Sequence, residues 1–212
     1  MPHNSSNSSP DRASHPYRGT AWTDGLRASA LWRMAGGILA GIVLLALGEV
    51  RAWSAVAPEY QVKAELLANF AGFVNWPAGT FARSNSPVVI GVVGKDPFER
   101  YLEKAVELKT RPGRPLVMRR VSSDAEMREC HVLFVAASER RRMRDLRQRL
   151  KGAPVLTVGE YEEFLEHGGI INFLLKGQSV RFEISVVSAQ AARLRLDAKL
   201  LSVADVVHGK YD

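Results

Sequence analysis

The sequence predicts an α/β domain: a three-layer sandwich with a mostly parallel sheet of about five to six strands, an antiparallel hairpin at one edge, and helices on both faces. Three observations carry this. Short, β-branched apolar runs such as "VVIGVV", "HVLFVA" and "APVLTV" read as strands buried on both faces. Segments of helical period alternate with them. Near the end, "GGIINFLLKGQSVRFEIS" holds two strands joined by a hairpin-length loop.

In chain order, the first helix is expected from Tyr60, with Leu66, Phe70 and Phe73 on one face and Leu67 and Val74 beside them. Pro77 disfavours helical geometry at Trp76 and is expected to end the helix there. A buried strand, Val88 to Val93, is closed by Gly94 and Pro97, and a helix from Phe98 to about Leu108 follows. After the turn "RPGRP" come a strand from Leu116 to Val121, a short helix from Asp124 to Arg128 and a strand from His131 to Ala136. Met143, Leu146 and Leu150 stripe a helix from Glu139 to Leu150. The strand "APVLTV" and a helix from Glu160 to Glu166, closed by Gly168-Gly169, come next. Strands from Ile170 to Leu174 and Val180 to Ile184 form the hairpin. A helix near Val187 to Ala192, a short Leu194 to Leu196 segment and a helix from Lys199 to Val207 close the chain.

The domain occupies only part of the 212 residues. Residues 1–26 are polar, rich in Ser, Asn and Pro, and read as an extension without a core, disordered or ahead of the true start. Arg27 and Arg33 precede the apolar run Ala35 to Gly48, followed by small residues around Ala52, Ser54 and Ala55. That order is a signal peptide over 27–54, and the run is short for a bilayer span. The expected mature domain is 55–212, exported to the periplasm. The full chain carries +7, and residues 1–54 hold five arginines against three acids, so the domain stays basic. For an exported protein this points to an acidic partner or an anionic surface, with nucleic acid excluded by location. Cys130 is the single cysteine, so no internal disulfide forms.

Motifs for chemistry are missing. "GVVGKD" lacks both the third glycine of a dinucleotide fingerprint and the Gly-Lys-Ser/Thr end of a phosphate loop. His131, His167 and His208 are scattered without metal-ligand spacing, and no serine sits in a nucleophile elbow. Cys130, just before a buried strand, reads as a small core residue. No catalytic residue, cofactor or metal is expected. The arginines of "SERRRMRDLRQRLKG" read first as the solvated face of a packed helix, and second as a docking surface for an acidic partner or lipid. Glu183 lies on the strand face opposite Phe182 and Ile184, either exposed or partly buried beside a cation. Asn172, inside a strand, is expected to use its amide in a structural hydrogen bond.

Several of these segments together resemble the YfiR-like family. The resemblance runs through "KAELLANFAGFVNWP", "IGVVGKDPF", Cys130 before "VLFV", "VLTVGE", "GGIINF", "VRFEIS" and "AKLLSVA", in that order, over most of residues 59–207. It implies a periplasmic negative regulator rather than an enzyme. Such a protein represses a membrane-bound diguanylate cyclase by binding its periplasmic region, lowering cyclic-di-GMP and biofilm formation. It also implies an OmpA-like outer-membrane lipoprotein as sequestering partner, and leaves a homodimer open. Ser185 stands where the family often has Asn, and the lone Cys130 excludes an internal redox bridge. Within this reading the expected partner-binding residues are Trp76, Ile171, Phe173 and Glu183, each of which also has a core reading. The alternative is a periplasmic small-ligand binder, with the ligand beyond the carboxyl ends of the strands.

Overall fold

The computed structural model describes residues 59–109 and 114–211. The expected extension and signal peptide lie outside them. Seven strands form one sheet in the order β3-β2-β4-β5-β6-β7-β9. They are β2 (Val88–Val93), β3 (Leu116–Val121), β4 (Val132–Val135), β5 (Leu156–Gly159), β6 (Ile171–Lys176), β7 (Ser179–Ser185) and β9 (Val206–His208). The first five run parallel, β7 returns antiparallel to β6, and β9 lies parallel to β7. The hairpin needs only two loop residues, because Gly177 adopts φ 61 at the first of them.

Both faces of the central strands β2, β4 and β5 are buried, as the β-branched runs require. Ile90, Val92, Phe134 and Leu156 face one layer with α1 (residues 59–70) and α2 (Tyr101–Lys109), which supply Leu67, Phe70, Leu102 and Ala105. Val89, Val93, Leu133 and Val135 face the other, with Met127 of α3 (Asp124–Arg128) and Met143 and Leu146 of α4 (Met143–Arg149). Ser123 caps α3, accepting a hydrogen bond from the Glu126 N–H, while the Glu126 side chain accepts from the Ser123 N–H. The three-layer sandwich is therefore present, with more strands than the sequence indicated.

Four local expectations are corrected. The first helix does not reach Trp76: it ends at residue 70, passes through a 3-10 turn at Ala71–Phe73, and gives way to β1 (Val74–Asn75). β1 pairs with β8 (Arg195–Leu196), and the Asp197 N–H donates to the Phe73 carbonyl at 2.8 Å, so a long-range pairing overrides the local helical period. Residues 137–142 form a 3-10 turn before α4 rather than its first turns. Residues 160–166 are turns, not a helix, and they lodge Phe164 in the core. The last helix stops at Val203, because Ala204 takes extended angles (φ -69, ψ 145), and the β-branched Val206-Val207 become the edge strand. The remaining helices are α5 (Val186–Ala191) and α6 (Ala198–Val203), the latter capped by Asp197 accepting from the Lys199 N–H.

Candidate functional site

The hairpin places Asn172 opposite Glu183 in register, and the two side chains meet. Asn172 is fully buried; its Nδ2 donates to Glu183 Oε1 at 3.0 Å, and its Oδ1 accepts from the Tyr161 N–H at 3.1 Å. The amide thus serves the structural role expected, tying the turn after β5 to the hairpin. The Glu183 side chain is 17% exposed, and its second oxygen lies 2.9 Å from His208 Nε2 on β9. His208 makes that contact, so Glu183 links the interior to the open edge.

Around that edge the surface is apolar. Val187 (62% exposed), Val203 (65%), Val206 (43%) and Val207 (38%) come from α5, α6 and β9, elements of the C-terminal part of the chain. β9 is the last strand of the sheet, and its outer backbone edge is unpaired among the described residues. An edge that is short but flanked by valines is a surface on which another chain gains both backbone hydrogen bonds and apolar burial.

The four residues expected to bind a partner are not brought together. Ile171 and Phe173 are 0% and 3% exposed, and Phe173 stacks on Phe70 at 5.7 Å in the core, so they act at the surface only through the strand they hold. Glu183 registers with Asn172, which pairs with Gly159 at the C-terminal end of β5. Trp76 packs at the other end of the strands, against Phe81 and against His131, which precedes β4. There Phe81 stacks flat on His131 at 4.4 Å, with the Arg114 guanidinium 3.7 Å from the Phe81 ring centre. His131 Nδ1 accepts from the Val89 N–H at 3.1 Å, and burial, aided by the nearby Arg114 charge, lowers its pKa to about 4. The sequence reading missed His208 and the valines. The pair Val206-Val207 before Gly209 was a strand signal that a helical reading of the tail concealed.

Other polar groups are held structurally. Lys63, 5% exposed, sits between Glu59 at 2.5 Å and Glu160 at 2.8 Å, and lies 4.8 Å from the Tyr60 ring centre. The two carboxylates raise its pKa despite burial. Burial pushes the Cys130 thiol up to about 11, and its Sγ faces the Glu126 carbonyl at 3.3 Å, which leaves it a core residue. At the switch point between β2 and β4, where open α/β sheets bind ligands, Ser138 Oγ accepts from the Lys95 N–H at 2.9 Å and Glu139 crowds Gly94. Among the described residues no group of three or more His, Cys, Asp or Glu is placed to hold a metal ion. No helix among them is long and apolar enough to cross a membrane.

A three-layer α/β domain with an unpaired sheet edge flanked by exposed valines is the class these features define. The chain belongs to the YfiR/HmsC-like family, which it matches over residues 60–205. The family is regulatory and periplasmic. No curated protein matches the chain. Among solved structures, it is similar to a conserved domain protein from Vibrio cholerae (12% identity, TM-score 0.46). It is also similar to an ABC domain from Streptococcus pneumoniae in complex with L-Trp (11% identity, TM-score 0.46). Each alignment covers 70% of this chain, which spans 60% of either of those proteins.

Proposed function

We propose that the protein is a repressor that binds the periplasmic region of an inner-membrane diguanylate cyclase and lowers cyclic-di-GMP output and biofilm formation. Family membership over residues 60–205 is the observation that carries this reading. The contact surface is the β7–β9 edge, with Glu183 and the exposed valines as its polar and apolar parts. Ile171 and Phe173 support it from behind, and Trp76 forms a separate rim at the opposite end of the strands. An OmpA-like outer-membrane lipoprotein that competes for the regulator relieves the repression.

Repression of this kind is a population shift. Taking a half-active cyclase down to about 1% active requires that the regulator prefer the inactive state roughly a hundredfold, about 2.7 kcal/mol. Burial of the exposed valines contributes to that preference only so far as the inactive state covers them better than the active one. The alternative is a small-ligand binder, for which the switch point, where the Lys95 N–H donates to Ser138 Oγ, is the expected place.

The test is cyclic-di-GMP measured in cells lacking the gene and complemented with wild type or with Val187→Glu/Val206→Glu. Both side chains are more than 40% exposed, but Val206 registers with Glu183, where a glutamate adds a like charge, so an unaltered circular dichroism spectrum is required of the double variant. The reading expects raised cyclic-di-GMP on deletion, restored by the wild type and not by the double variant. Unchanged cyclic-di-GMP in the deletion strain sinks it.

A further inference from the structure

A second feature lies away from the valine edge, in the arginine-rich turn before α4. Arg140, Arg141, Arg144 and His167 line a cleft of about 440 Å³. The arginines come from the 3-10 turn Ala137–Arg142 and from α4, and His167 from the turns that follow β5. Their neighbours in sequence are paired: Arg142 with Glu139 at 2.9 Å, and Arg149 with Asp124 and Asp145, each at 2.9 Å. Arg140 is held by both carboxylate oxygens of Glu163, at 2.6 and 2.5 Å. Arg141 and Arg144 have no acceptor among the described residues, although they lie three positions apart where like charges repel. His167 Nδ1 is buried and has no hydrogen-bond partner.

We propose that this cleft is a phosphate-binding site. The Arg140 charge is compensated by Glu163, which also fixes the guanidinium in place, so Arg141 and Arg144 leave two positive charges facing one concavity. A phosphate or phosphomonoester dianion carries the matching charge, and its oxygens fit the planar donor forks of arginine. His167 completes the lining, although its unpartnered Nδ1 is buried away from the solvent-facing side of the cleft. The volume leaves room for the group that bears the phosphate. Two sources share this chemistry, free inorganic phosphate and the phosphomonoester headgroup of an anionic lipid. The site stands independently of the cyclase reading, since it uses neither the β9 edge nor Trp76.

The experiment is calorimetric titration of the full chain with inorganic phosphate at constant ionic strength, together with co-flotation on phosphatidylcholine vesicles with and without phosphatidic acid. Charge-assisted hydrogen bonds of this type predict roughly a tenfold loss of affinity for each arginine removed. Arg141→Gln/Arg144→Gln should therefore abolish measurable phosphate binding while retaining the wild-type circular dichroism and melting temperature. Arg83→Gln, outside the cleft, should bind as wild type. Flotation that requires phosphatidic acid and is competed by phosphate identifies the lipid source. Phosphate binding without flotation identifies the free anion. Absence of saturable heat at millimolar phosphate, or equal binding by the double variant, overturns the proposal.

Discussion

His131 shows how a single side chain couples this fold to its surroundings. The imidazole accepts a backbone hydrogen bond from Val89 and is stacked beneath Phe81, so the folded protein holds it neutral, with a pKa near 4 instead of 6.5. Between those values the unfolded chain binds a proton that the folded chain does not. Stability from this residue is therefore complete above about pH 6.5 and is lost as the pH falls to about 4, amounting to at most about 3 kcal/mol. Urea midpoints measured across that range should fall toward acid. His131→Asn, which keeps an acceptor for Val89 without a titrating group, should flatten the slope; an unchanged slope would remove His131 as its origin. Asn172 is the neutral counterpart. Its amide meets one backbone donor and one carboxylate and leaves neither unpaired in the interior.

Among the elements, the turns after β5 depend on two glycines. Phe164 is fully buried between Gly159 at the end of β5 and Gly169 ahead of β6, where a β-carbon on either glycine would overlap its ring. Gly159→Ala should cost about 2 kcal/mol through overpacking, read as a lower urea midpoint, and trimming the ring with Phe164→Leu should recover part of it. An unaltered midpoint would mean that the ring has room to move. This contact also marks the limit of what the sequence displays. The strands β2, β3 and β4 and the helix α3 were readable because their apolar runs, glycine stops and capping residues are local. Residues 160–166 carry a helical composition, yet they turn, because the ring of Phe164 and the amide of Asn172 reach partners set by the sheet. The helix expected to run to Trp76 and the one expected to run to Val207 failed for the same reason. In each, β-branched residues were claimed by a strand distant in sequence, β8 for Val74 and β7 for Val206. At the candidate site Glu183 was visible from alternation, while His208 and the valines became a surface only when the tail was read as an edge strand.

At the scale of the whole molecule, the two candidate surfaces are separate. The valines gather around β9 at the antiparallel end of the sheet, while the unpaired arginines lie on α4 and the turn before it. A regulator in a shared compartment gains from that separation, since a partner contact at one surface leaves the other free to sense or dock. The account's central claim is that the β7–β9 edge binds the periplasmic region of a diguanylate cyclase. It is tested most directly by calorimetric titration of the full chain with that region, purified from the cyclase of the same genome. Saturable binding is expected, weakened at least about tenfold by Val187→Glu/Val206→Glu and little changed by Arg141→Gln/Arg144→Gln, with the negative heat-capacity change of apolar burial. Binding that ignores the valine substitutions, or no binding at all, would contradict it.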